Sequence, residues 1–173
     1  MKKKNTLIWL IFAVFWALVI FLMSSKTGSE SNETSSSLAS VLSALVPDFA
    51  SWGPSKQMAW IASINHLVRK LAHFFEYGLL GFLSFRAAVA ISSKTNRKKP
   101  ASKFGLGMIC FYIGVALSAF DEILQSRTAG RHSTSGDMVI DCAGLFLGIF
   151  LCAYKTKLTV SSSEQKPTVR RRG

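Results

Sequence analysis

Acidic residues are scarce in this sequence: nine Asp and Glu stand against twenty-one Lys and Arg. Charged residues of either sign make up 17% of the 173 residues, where a soluble domain carries roughly a quarter. Cysteine is sparse too. Cys110, Cys142 and Cys152 form no C-x-x-C pair and no even framework, which excludes a disulfide scaffold and a zinc module. There is no glycine-rich phosphate loop and no H-E-x-x-H motif. What abounds is apolar: 49% of the chain is hydrophobic, with thirteen Phe and four Trp. These residues are clumped, which excludes disorder for most of the chain. The length suits one domain.

The clumps form four runs, at about 7–23, 71–91, 104–121 and 138–154. Each is near the roughly 20 apolar residues that cross a bilayer. The first is uncharged, the second carries His73, Glu76 and Arg86, the third ends in Asp121 with Glu122 next, and the fourth holds Asp141. The spacing predicts an all-α integral membrane protein of four transmembrane helices. It divides the chain into a basic amino end (1–6), a membrane domain (7–153) and a basic, disordered tail (154–173). The first run is too long for a signal peptide, and no small-x-small cleavage pattern follows it.

The net charge of +12 is a topological signal. Fourteen Lys and Arg fall in the amino end, the 94–103 connection and the tail, which an even number of spans puts on one side. The other side holds six basic and eight acidic residues. The excess of Lys and Arg marks the first side as cytoplasmic, with both termini there. The charge comes with no aromatic–basic motif, so nucleic acid is not expected as a partner.

Between the first two spans, 24–37 is rich in Ser, Thr and Gly and reads as loop. Leu38, Val41, Leu42, Leu45 and Val46 then recur at helical spacing, Pro47 and Gly53-Pro54 mark turns, and a second helical pattern starts near Ser55. The expectation is short interfacial helices, lying on the membrane or packed over the bundle, with Trp52 and Trp60 at headgroup level.

The ionisable residues are few and patterned. Arg69, His73, Glu76 and Tyr77 share one face of the second span, beside Lys70. Asp121, Glu122 and Gln125 end the third span, Arg131 lies in the following loop, and Asp137 and Asp141 start one face of the fourth. The topology brings all of these to one membrane level, at the outer boundary. Such groups are costly in a membrane and face a bundle interior or a wet cavity. Two readings stay open. The cations could neutralise the carboxylates in a helix-locking network. Alternatively the group could bind or transform a polar headgroup, with Arg clamping phosphate or carboxylate and His73, Glu76 and Glu122 as acid–base candidates. His73-x-x-Glu76 offers two possible metal ligands that Asp121, Glu122 and Asp137 could complete, but there is no second intramembrane His, so neither a metal nor a cofactor is expected. Gly144 and Gly148, with Gly78 and Gly81, predict close helix approach below this level.

The string Arg69-Lys70-Leu71-Ala72-His73-Phe74-Phe75-Glu76-Tyr77-Gly78-Leu79-Leu80-Gly81 resembles the first signature of VanZ-like membrane proteins. Asp121-Glu122, Gln125, Gly130-Arg131, Asp137, Asp141 and Gly144 to Gly148 resemble the second, and Ser24-Ser25 a weaker first-helix motif. Leu124 stands where the family often has His, Lys26 where Gln often follows the serines, and Arg127 and Ala129 replace an aromatic and a proline. The resemblance covers roughly 8–153. It implies a bacterial cell-membrane protein and an association with resistance to teicoplanin, a lipid-tailed glycopeptide that acts on the cell envelope. Some relatives carry a phosphotransbutyrylase label, for which no soluble acyltransferase pattern is present here. The leading expectation is an envelope factor binding a lipid-linked or lipidated molecule at the outer leaflet. An enzyme modifying a lipid-linked precursor, and a scaffold for other membrane proteins, are the alternatives. The sequence does not set the oligomeric state.

Overall fold

In hydrocarbon a chain must pair its own backbone N–H and C=O groups, and an isolated apolar segment does so as a helix. The computed structural model describes residues 3–93, 101–130 and 135–164, and all four apolar runs are helical there. Helix α1 is Lys3–Ser24, α2 is Gly28–Ala44, α3 is Pro54–Ser92, α4 is Lys103–Arg127 and α5 is Ser135–Glu164, with a one-turn 3-10 helix at Phe49–Ser51. By length and composition, α1, α3, α4 and α5 can each cross a membrane. No strand occurs among the described residues.

The segment expected as loop is already helix from Gly28 onward. Thr27 and Glu30 form a capping box: the Thr27 hydroxyl accepts from the Glu30 N–H, and the Glu30 carboxylate accepts from the Thr27 N–H at 2.9 Å. The serines turn back on the helix. Ser35, Ser37, Ser40 and Ser43 donate to the carbonyls four residues earlier, at 2.7–2.9 Å. After α2, Asp48 takes a left-handed conformation (φ 59°), and Gly53 then precedes Pro54 at the first position of α3.

The helical pattern from Ser55 is not a separate surface helix. It runs unbroken into the second span as the 39-residue α3. No proline interrupts residues 55–92, so nothing removes a backbone donor there. At 1.5 Å per residue α3 is about 58 Å long, against a hydrocarbon core of about 30 Å. α2 lies along its first half, where Asn65 donates to the Ser36 hydroxyl at 3.3 Å and Ala39 and Ser43 are buried. Trp52 and Trp60 meet edge-on at 5.7 Å, and Lys56 sits over the Trp52 ring. At the other end of the chain α5 continues to Glu164, so the first residues of the expected disordered tail are helical. The stretch Lys155 to Glu164 contains neither Gly nor Pro to stop it.

Helices α3 and α5 run parallel and touch backbone to backbone. A Cβ at Gly144 would overlap the Phe74 carbonyl oxygen, one at Gly148 the Gly78 carbonyl oxygen, and one at Gly81 would sit 2.5 Å from the Leu145 carbonyl oxygen. The predicted glycine contact is therefore the main seam of the fold. α4 packs antiparallel on α5, with Leu145 seated over Gly114. α1 packs antiparallel on α3 and is pinned by the Trp16 indole N–H, which donates to the Glu76 carbonyl at 2.9 Å. Two buried clusters fill the bundle, one around Ile20, Tyr77, Leu80 and Leu145, the other around Phe85, Cys110 and Cys152. Leu7, Phe15, Tyr112, Ile113, Phe146 and Phe150 point outward and are exposed, as lipid-facing side chains are.

Candidate functional site

Four helices contribute polar side chains to one end of the bundle. The end of α1 brings Ser24, the middle of α3 brings His73 and Tyr77, the last three turns of α4 bring Ser118 to Gln125, and the second turn of α5 brings Asp141. The parallel α3–α5 seam fixes the depth of His73 against Asp141. The antiparallel α4 puts Ser118 opposite them.

Two hydrogen-bonded groups result. In the first, the ring N–H at His73 Nδ1 donates to Asp141 Oδ1 at 3.2 Å, and the Ser118 hydroxyl donates to Asp141 Oδ2 at 2.7 Å. In the second, the Gln125 amide donates to Asp121 Oδ2 at 2.8 Å and to the Ser24 hydroxyl at 3.4 Å. Asp121, Asp141, Ser118 and Tyr77 are all 0% exposed. Glu122 is also buried, and one ligand atom each from His73, Glu122 and Asp141 lie within 4.8 Å of one another. The Tyr77 hydroxyl and Asp121 Oδ1 have no hydrogen-bond partner among the described residues. Taking a carboxylate out of water costs several kcal/mol even after relaxation, so this layer is a concentrated debt in electrostatic energy.

The sequence-derived cations do not settle it. Arg69 and Lys70 form no ion pair with the described carboxylates, and the one ion pair among the described residues at this level is His73 with Asp141. Instead Arg69 lines a groove of about 250 Å³ between the end of α1, α2 and α3. Lys26, Ser31, Ser35, His73 and Glu76 are among its other polar lining residues, and Met23, Leu38, Val68 and Ala72 are its apolar ones. His73 faces both the groove and the buried layer. Asp137 is half-buried in the first turn of α5, where its charge favours the helix N-terminus. Arg131 lies outside the described residues. The loops above the layer are tied together: the Gly28 N–H donates to the Ala129 carbonyl at 2.9 Å, and Gly130 turns with φ 72°. A Cβ at Gly28 would collide with the Gly130 carbonyl, so this turn-to-turn contact requires glycine.

The expected candidates thus divide. His73, Tyr77, Asp121, Glu122, Gln125 and Asp141 converge in the buried layer, while Arg69, His73 and Glu76 line the groove. Sequence reasoning missed Ser118, an ordinary polar residue in an apolar run. Its only signal was its position one turn before Asp121. The order Ser118–Asp141–His73 also places the carboxylate between hydroxyl and imidazole. The serine hydroxyl therefore donates to the Asp141 carboxylate and not to the imidazole, which is not the order of a serine-nucleophile triad.

A family model described as VanZ/LLP1 matches residues 9–156. No curated protein and no solved structure matches the chain.

Proposed function

The chain belongs to the VanZ/LLP1 family, and on that premise we propose that this four-helix membrane protein is a bacterial cell-envelope factor that binds an amphiphile with an anionic headgroup at the outer leaflet. The observation that carries the reading is the groove beside α2. Its lining combines apolar Met23, Leu38, Val68 and Ala72 with Lys26 and Arg69 as cations and with serines and His73 as hydrogen-bonding groups, and it shares His73 with the buried polar layer. A lipid-linked envelope molecule, or a lipidated glycopeptide such as teicoplanin, presents the matching pair of features: an acyl or prenyl tail for Met23, Leu38 and Val68, and phosphate or carboxylate for Arg69. The excess of Lys and Arg in the amino end, the 94–103 connection and the tail supports a plasma-membrane orientation with both termini in the cytoplasm and the groove outside.

The test is binding of a polyprenyl phosphate to the full chain in nanodiscs, with a neutral diacylglycerol of equal tail volume for comparison. A charge-assisted hydrogen bond contributes about 1.5–3 kcal/mol. Arg69→Ala should therefore weaken the phosphate by roughly 10–100-fold, at 1.4 kcal/mol per decade, and leave the neutral lipid unchanged. Equal affinity of both lipids for the wild type would sink the reading. A second reading is favoured by one observation, the position of His73 in both groove and buried layer. It is an enzyme that moves a proton on a bound precursor, and it predicts turnover of the bound lipid that is lost in His73→Asn.

A further inference from the structure

We infer that His73, Glu122 and Asp141 form a binding site for a divalent transition-metal ion, with zinc the best match to the donors. The inference goes beyond the amphiphile reading and does not rest on it.

The donor set is one imidazole and two carboxylates from three different helices. Imidazole nitrogen and carboxylate oxygen are both zinc ligands, and three protein ligands leave the fourth tetrahedral position for water. Imidazole suits zinc and its neighbours, whereas magnesium and calcium prefer oxygen alone. The geometry fits. Two ligands on one tetrahedral zinc, with bonds of about 2.0–2.1 Å, stand about 3.3 Å apart. His73 Nδ1 and Asp141 Oδ1 are 3.2 Å apart. The other spacings, at most 4.8 Å, close onto that edge by rotation of the long Glu122 side chain. On binding, Nδ1 becomes the ligand and the neutral ring carries its proton on Nε2.

The surroundings are those of a metal site in two further respects. Ligating carboxylates are held by outer hydrogen bonds, and Ser118 holds the second oxygen of Asp141 at 2.7 Å. Independently, two fully buried polar atoms lack a hydrogen-bond partner among the described residues: Asp121 Oδ1 and the Tyr77 hydroxyl. Asp121 precedes the ligand Glu122 in α4, and Tyr77 follows the ligand His73 by one turn in α3, so both belong to the same buried layer. A metal-bound water has protons for Asp121 Oδ1 and a lone pair for the Tyr77 hydroxyl. The ion also supplies the positive charge that no Lys or Arg among the described residues brings to Asp121 or Asp141. The sequence alone suggested His73-x-x-Glu76, with Asp121, Glu122 and Asp137 as carboxylates that could complete a site. Glu76 lines the groove instead, and the carboxylates that meet His73 are Glu122 of α4 and Asp141 of α5.

The experiment uses the full chain purified in detergent, stripped with a chelator and reloaded with zinc, then with cobalt as a spectroscopic substitute. Wild type should retain one zinc per chain through gel filtration, and the cobalt form should show the visible ligand-field bands of a low-coordinate site with nitrogen and oxygen donors. Glu122→Gln and His73→Asn should each weaken zinc by more than the ~10–100-fold that loss of an outer partner costs. Ser118→Ala should fall within that smaller range, and Glu33→Gln on exposed α2 should bind as wild type. Absence of zinc uptake by the wild type, with cobalt giving only the spectrum of the free aqua ion, would overturn the inference and leave ordered water as the partner of the orphaned atoms. Equal zinc affinity in wild type and Glu122→Gln would overturn it too. The wild-type spectrum decides even where a variant fails to fold. Polyprenyl phosphate binding, measured separately, is unaffected by this result.

Discussion

Gly148→Ala adds a single methyl group at the α3–α5 seam, and its cost can be worked from the surroundings. The new Cβ would overlap the Gly78 carbonyl oxygen, and would lie 2.8 Å from the Gly78 carbonyl carbon and 2.9 Å from the Phe82 nitrogen. All three are backbone atoms of α3, so no side chain can rotate away. Carbon contacts are comfortable at about 3.5 Å or more, so the helices must part by roughly 1.5 Å. Overpacking of this kind costs about 1–3 kcal/mol. For a chain of this size each kcal/mol lowers Tm by about 2–4 °C, so a fall of about 2–12 °C is expected. The same parting stretches the His73–Asp141 contact from 3.2 Å past the limit of a hydrogen bond. Gly105→Ala is the control. It lies in α4, and its Cβ would meet only the Ser102 Cβ at 4.0 Å, so the loss of unfolded-state freedom should stabilise by about 0.4–1 kcal/mol. Thermal unfolding in detergent, followed by tryptophan fluorescence, ranks the three proteins. A Gly148→Ala protein as stable as wild type would refute the backbone-contact account of the seam.

Thr27→Ala removes the capping box of α2 and should cost about 1 kcal/mol, read as faster hydrogen exchange at residues 28–31. The Glu30 carboxyl is held below its usual value by hydrogen bonds from the Thr27 side chain and backbone. Its support of α2 is therefore complete above the ordinary carboxylate range and lost as pH falls through the lowered value; exchange protection that ignores acidification would contradict this. Cysteine labelling in intact cells should reach Ser36→Cys and not Ser163→Cys, and external labelling at 163 would invert the orientation. Arg131→Lys should impair any resistance phenotype at normal membrane abundance, since Lys lacks the planar fork, while Arg127→Lys, on an exposed last turn of α4, should be silent. Full function of both at matched expression would make Arg131 an ordinary solvated charge.

The spans were legible because an uncharged run of this length has one comfortable state in lipid. The convergence of His73, Asp121, Glu122 and Asp141 was legible for a related reason: alternating spans place the start of one and the end of the next at the same depth. Helical spacing also marked Gly144 and Gly148. Other features had no such signal. The serines before Leu38 carry a loop-like composition, yet each can satisfy its hydroxyl on the helix itself, so composition misjudged where α2 begins. The junction near Val68 lacks any breaker, and a pattern read in two pieces was one helix. Arg69 and Lys70 sit at the right depth to neutralise carboxylates, but depth does not say which way a long side chain reaches, and Arg69 turned to the groove. The His73–Glu122–Asp141 grouping depends on distances between three helices, which no spacing within one helix encodes.

The uninterrupted α3 has a mechanical consequence. Its second half is clamped along α5 by backbone contact, while its first half is braced by α2 and the turn that follows it, which makes it a lever whose fulcrum is the glycine seam. Long helices curve gently and kink only at identifiable breaks, and α3 has no proline inside it. A load applied near Trp52 and Trp60 is therefore not absorbed along the way. It arrives as a tilt or a twist at His73, some twenty Å further down the same rod by the helical rise of about 1.5 Å per residue. Whatever touches the hairpin outside the bundle can move one wall of the buried polar layer without making contact with it.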